Sequence, residues 1–240
     1  MKSFREYLKE AGESAGKLEL VKTDLKTARA FAEKVFKKNG RSLDKELPDF
    51  DKNYLIAQKA ASGGKTLRKD MPVVDEKDIK HLQTVLSKGE IDLKAPFASK
   101  NDEKDPFPTG LDRNSDKAKV WLDSGLKVHD GSSNDDKVKA KIEMVTIKDL
   151  KPIQKQIYFD KSITATAEAG VENSIKFLTE KTTFVDSSDR RIIDGHHRFL
   201  SGLLVNPNMK VHALTIDLEI SKLLPLILSF SDAVGNKRNA

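Results

Sequence analysis

Apolar positions are spread unevenly along this chain. Up to about residue 140 they form short islands between polar stretches, whereas from residue 141 onward dense apolar runs follow one another closely. That contrast places most of the expected core in the last hundred residues. Within the first part, residues 24–38 set Leu25, Ala28, Ala32, Val35 and Phe36 near one face at the 3.6-residue period, and Asn39-Gly40 supplies a stop, which predicts a helix. Residues 75–88 repeat the pattern with Ile79, Leu82, Val85 and Leu86 and end at Gly89. Ser3 and Glu6 have capping-box spacing for a short opening helix. Isolated amphipathic helices of this kind need another surface to cover their stripes. A docking partner, a virion component or another protein, is therefore expected for this helical arm.

The last hundred residues alternate between elements. Residues 142–147 (IEMVTI) predict a strand that Asp149-Leu150-Lys151-Pro152 breaks. Residues 160–180 are helical material interrupted at Gly170, with Val171, Ile175 and Leu178 on one face of the second piece. A hairpin follows: strand 182–185, turn 186–189, strand 191–193. Residues 199–205 predict a short apolar helix, 210–217 a strand and 220–230 a final helix. Strands and helices mixed in this order indicate an α+β domain. Two polar stretches, ASKNDEKDPFPTGLDRNSD and HDGSSNDD, separate it from the arm. The expected division is a helical arm over residues 1–95, a polar linker or wrapping segment over 96–140, and the α+β domain over 141–240.

Composition narrows the function classes. Hydrophobic residues make up 38%, below the roughly 45–50% usual for globular chains counted with Gly, so the core must be small for 240 residues. Cysteine is absent, which excludes disulfides, thiolate zinc sites and cysteine nucleophiles. No apolar run reaches the roughly 18 residues of a membrane span, and MKSFREYLKE has no apolar core of a secretory signal. No membrane partner is expected, and the host-cell cytoplasm or a virion is the expected setting. The formal charge is +6, from 43 Lys and Arg against 37 Asp and Glu, but the two signs interleave, as in KTDLKTARAFAEKVFKK. Such interleaving describes a solvated surface; nucleic acid remains a candidate partner that charge alone does not establish.

Several local patterns are decoys. Ser62-Gly63-Gly64-Lys65-Thr66 lacks the glycine a phosphate loop needs, Lys59 standing in its place, and no strand precedes it. His81, His129 and His212 are dispersed, and Trp121 sits among apolar neighbours as a packing anchor. Ser187 and Ser188 have no nucleophile context.

The informative motif is IIDGHHR, residues 192–198. Two apolar residues leave the core, Asp194 and Gly195 turn, and His196, His197 and Arg198 stand where a helix begins. Backbone N–H groups at a helix N-terminus attract phosphate, Gly195 permits close approach, and Arg198 with the imidazoles can donate hydrogen bonds. Asp194 is a candidate metal ligand or base. Against this stands a plainer reading, in which Asp194 only caps the helix and the histidines lie on the surface.

These residues carry a resemblance. DGHHR resembles the second box of the ParB/sulfiredoxin-like superfamily, and VTIKDLKPIQKQIYFDKS at residues 145–162 resembles its first box. The similarity spans about a hundred residues. It implies a small mixed sheet with flanking helices that binds a nucleotide (ATP, ADP or CTP) with Mg²⁺ at the second box. Gly195, His196, His197 and Arg198 would contact the nucleotide, Asp194 would hold the metal, and Asp194 and His196 would be catalytic. The implied activities are a phosphotransferase or a nuclease. Two departures weigh on this: Gln154 stands where serine-kinase relatives carry an acidic base, and sulfiredoxin's cysteine is missing. The opening MKSFREYL and the tail SDAVGNKRNA also resemble bacteriophage proteins. That resemblance implies an alternative, a structural virion component using the fold as an assembly module with its arm wrapping neighbouring subunits.

Overall fold

A computed structural model describes residue 7, residues 17–91, residues 134–234 and residue 236. The predicted helix at residues 3–8 (Tyr7 apart), the polar stretch at 96–116, Trp121, His129 and the end of the tail lie outside the described residues. The helices are α1 (Leu25–Lys38), α2 (Leu43–Glu46), α3 (Phe50–Ala61), α4 (Ile79–Lys88), α5 (Phe159–Ala169), α6 (Val171–Glu180), α7 (His196–Val205) and α8 (Ile220–Ala233). The strands are β1 (Ala140–Thr146), β2 (Lys151–Pro152), β3 (Thr182–Ser187), β4 (Arg191–Asp194) and β5 (Lys210–Ile216), and they form one sheet in the order β1-β5-β3-β4-β2. The chain is α+β, as the alternation of patterns indicated.

Contacts group the chain into two compact units, each assembled from separate stretches. The first comprises Met1–Arg68, Met144–Thr183 and Gly195–His212; the second comprises Lys69–Glu143, Phe184–Asp194 and Ala213–Ala240. The division by polarity at residues 95 and 140 is thus a different partition from the division by contact, since both units combine residues from either side of it.

In the first unit, α1 forms where the pattern placed it. The Asp24 side chain accepts from the Thr27 N–H at 2.9 Å, and Ala28, Ala32 and Phe36 are buried. The stripe is covered by the chain itself, because α1 packs on α5. Helix α3, which the sequence reading did not anticipate, packs on α7 and buries Phe50, Asn53, Tyr54, Ala57 and Ala61. Its signal was a 3- to 4-residue spacing diluted by one asparagine and two alanines. Phe159 on α5 meets Tyr54 edge-on at 5.2 Å, Phe50 at 6.1 Å and Phe31 at 6.3 Å between ring centroids. Tyr54 donates its hydroxyl to the Thr23 carbonyl at 2.8 Å, and burial pushes that hydroxyl up to about 12. Most of the buried apolar side chains among the described residues lie in the last hundred residues, as the apolar density indicated, and the arm adds some of the largest fully buried ones. Apolar density undercounts a core whose members are spaced singly on helix faces.

Two further expectations change. On α6 the buried face carries Ser174 and Leu178, while Ile175 is exposed. The turn predicted at 186–189 starts later: Asp186 and Ser187 belong to β3 and are fully buried.

The second unit has its own core, in which Ile79, Leu82, Val85 and Leu86 of α4 join Leu223, Leu226, Ile227 and Phe230 of α8 with Val185, Ile193, Leu214 and Ile216 from strands. The hairpin is antiparallel, Val185 opposite Asp194 and Asp186 opposite Ile192, with an irregularity between Val185 and Asp186. At its turn Arg190 adopts a left-handed φ of 67° and reaches three groups: Glu143 Oε1 at 2.7 Å, Thr215 Oγ1 at 2.8 Å and Asp186 Oδ2 at 3.2 Å. Thr215 in turn donates to Asp186 Oδ1 at 2.8 Å. Lys141 with Arg190 and Thr215 outweighs desolvation and holds the Glu143 carboxyl at about 2, whereas burial pushes Asp186 up.

Two outcomes are expected. Phe159→Ala should cost about 3–5 kcal/mol, as large-to-small core substitutions do, while Ile175→Ala should stay within about 0.5 kcal/mol; urea melts followed by circular dichroism decide between this ranking and its reverse. A fragment starting at Lys141 should show no cooperative thermal transition, because it lacks the helices that cover α5 and α7; a sharp transition near that of the full chain would refute the arrangement.

Candidate functional site

The site is built around the irregular segment 153–158 of the first box, which three other stretches of the first unit hold. Residues 17–20 run along one part of it: the Leu20 N–H donates to the Ile157 carbonyl and the Phe159 N–H to the Leu18 carbonyl, each at 2.8 Å, and Glu19 bridges antiparallel to Tyr158. Residues 64–68 run along another part. The Lys65 and Thr66 N–H groups donate to the Ile153 carbonyl at 2.9 and 3.0 Å, and Lys155 N–H returns a bond to the Thr66 carbonyl at 2.8 Å. Gly64 is needed for this approach, since a Cβ there would lie 2.3 Å from the Gln154 carbonyl oxygen. The glycine pair that imitates a phosphate loop is thus a close-packing device.

The third stretch is the second box. Gly195 takes a φ of 114°, a left-handed value suited to glycine, and starts the ten-residue helix α7 with no side-chain cap. Asp194 ends β4, half-buried, within the second unit. His196 is 4% exposed, and its Nε2 accepts from the backbone N–H groups of Ile153 at 3.3 Å and Gln154 at 3.2 Å. His197 accepts at Nε2 from the Tyr158 N–H at 3.1 Å, and its own carbonyl accepts from Ser162 Oγ at 3.1 Å. A neutral imidazole has one acceptor nitrogen and one donor, so both protons sit on Nδ1. The His196 ring is buried and His197 half-buried. Burial, with Arg198 adding repulsion, pushes His196 down to about 3. Burial and the charges of Arg68, Lys161 and Arg198 hold His197 well below the usual imidazole range.

The catalytic role expected of His196 meets a physical obstacle, because a base must offer a free nitrogen that can take a proton near neutral pH. Gln154 is likewise engaged, its amide nitrogen donating to the Gln156 carbonyl.

Around the Tyr158 ring the structure gathers groups that the sequence reading did not connect. The Arg68 guanidinium carbon lies 5.7 Å and the Lys161 ammonium 5.5 Å from the ring centroid, and the His197 ring stacks on it at 6.3 Å and 17°. Arg68 is steered there by its backbone N–H, which donates to Gln156 Oε1 at 2.8 Å. Lys161 is 8% exposed, and burial followed by repulsion from Arg68 pushes its ammonium down. Its neighbour Asp160 is buried and accepts from the Lys17 N–H at 2.9 Å. Among the described residues no group of three His, Asp or Glu side chains converges as metal ligands. No helix among them is long and apolar enough to cross a membrane.

The histidine pair makes stability depend on pH. Each ring has a folded value below its ordinary 6.5, so the unfolded chain binds more protons and stability, full above pH 6.5, falls as pH drops below it. The expected slope below pH 6.5 is up to about 1.4 kcal/mol per pH unit for each ring. Urea melts between pH 7.5 and 5 should show it, and His196→Asn should remove one proton's share; equal slopes in parent and variant would refute the assignment.

Neither a scan against protein-family models nor searches of curated proteins and of solved structures found a match to this chain.

Proposed function

We propose that this chain is a ParB/sulfiredoxin-like protein that binds a phosphate-bearing ligand, a nucleotide by the resemblance, with Arg68, Lys161 and Arg198 as its anion contacts. The observation that carries the proposal is the placement of Arg68 and Lys161 over the Tyr158 ring on which His197 stacks, with Arg198 next after His197 in α7 and Lys161 almost wholly buried. Cations brought together out of water repel one another, and an anion among them relieves that repulsion through charge-assisted hydrogen bonds. Two features support the same reading. Arg198 lies in the first turn of α7, whose positive end adds to the field. The stacked Tyr158 and His197 rings provide a rigid wall beside the cations.

The proposal concerns binding first. His196 and Gln154 both spend their polar atoms on backbone groups, so phosphotransferase or nuclease chemistry would need a base from elsewhere.

Calorimetry on the full chain with inorganic phosphate, ATP, ADP and CTP tests this. The parent should bind at least one of them, and Arg198→Ala should weaken that binding about ten- to a hundredfold, the loss of a charge-assisted contact worth roughly 1.5–3 kcal/mol. Lys65→Ala, an equal charge change at an exposed neighbouring position, should leave it within about twofold. A parent with no affinity for any of these ligands would overturn the proposal in favour of the assembly-module reading.

A further inference from the structure

The resemblance implies Mg²⁺ beside the nucleotide phosphates, and the groups gathered around Tyr158 do not fit it. Magnesium takes hard oxygen ligands in octahedral geometry, usually one or two carboxylates with waters and phosphates. Here both imidazoles present Nε2 to backbone N–H groups and carry their protons on Nδ1. Gln156 Oε1 accepts from the Arg68 N–H, and the Gln154 amide nitrogen donates to the Gln156 carbonyl. The carboxylate of this cluster, Asp160, accepts from the Lys17 N–H and lies beside the Lys161 ammonium, whose charge it supports. The field points the same way. Arg68 and Lys161 lie over the Tyr158 ring on which the neutral His197 stacks, and a dication entering beside them would meet repulsion from both.

A phosphate dianion meets the reverse conditions. A guanidinium offers a planar fork of donors that matches two phosphate oxygens, and an ammonium offers a compact point charge. Between them Arg68, Arg198 and Lys161 supply the charge neutralisation that a metal ion supplies in other phosphate sites. Resting on the binding reading above, we infer that this site takes a phosphate group free of divalent metal, either inorganic phosphate or the terminal phosphate of a nucleotide. The three side chains then stand in place of Mg²⁺.

The test uses the full chain and calorimetry with inorganic phosphate in one arm and ATP in the other, each in EDTA and in excess Mg²⁺. Whichever probe binds should do so in EDTA at least as tightly as with Mg²⁺. For ATP, excess Mg²⁺ should weaken binding, because the ion competes with the site for the triphosphate. Lys161→Gln should lose about tenfold or more in EDTA. Binding that appears only with Mg²⁺, or tightens more than about tenfold on adding it, would overturn the metal-free assignment while leaving the phosphate-binding proposal standing. Absence of binding in every arm would overturn both.

Discussion

Six residues of irregular backbone, 153–158, have to bury their polar groups somewhere other than in a helix or sheet ladder. An unpaired buried N–H costs about 1–3 kcal/mol, so this requirement governs what may surround the segment. Two imidazoles in the first turn of α7 meet it by accepting from Ile153, Gln154 and Tyr158. Backbone from residues 64–66 pairs with the Ile153 carbonyl and the Lys155 N–H, and backbone from residues 17–20 with the Ile157 carbonyl. Once the imidazoles are acceptors they must be neutral, and the positive charge around the Tyr158 ring is then that of Arg68 and Lys161, with none from the rings. The electrostatic character of the site thus follows from a backbone hydrogen-bonding constraint.

The same constraint explains why the first unit is assembled from distant stretches. Residues 64–68 come from before the long polar region and the second box from the far end of the α+β part, yet both must reach one segment. Helices α1 and α3 make this affordable by packing on α5 and α7, with Phe31, Phe50, Tyr54 and Phe159 forming the aromatic contact between them. Contacts between residues this far apart in sequence imply slow folding, since loop closure precedes the gain from packing.

In the second unit a charged network does a comparable job. Asp186 is fully buried, and Arg190 reaches it only by taking a left-handed backbone at the hairpin turn. A buried pair of this kind adds little net stability, but removing one partner strands a charge, so the network penalises hairpin registers that separate Asp186, Arg190 and Thr215.

By itself the sequence determined most of the elements, helix α3 excepted. The 3.6-residue stripes of α1 and α4 and the break at Gly170 are local patterns set by short-range sterics and burial, and they stand where the pattern put them, while the hairpin stands there with a shorter turn. It also marked residues 195–198 as unusual. Tertiary structure alone decided what those residues do. A histidine next to a glycine reads equally as donor, ligand or surface group; only the approach of the Ile153, Gln154 and Tyr158 N–H groups makes His196 and His197 neutral acceptors. Arg68 and Lys161 had no local pattern to distinguish them among 43 basic residues. Their meeting over Tyr158 depends on Gly64 lying against the Gln154 carbonyl, a contact across ninety positions of sequence that no window of local periodicity contains.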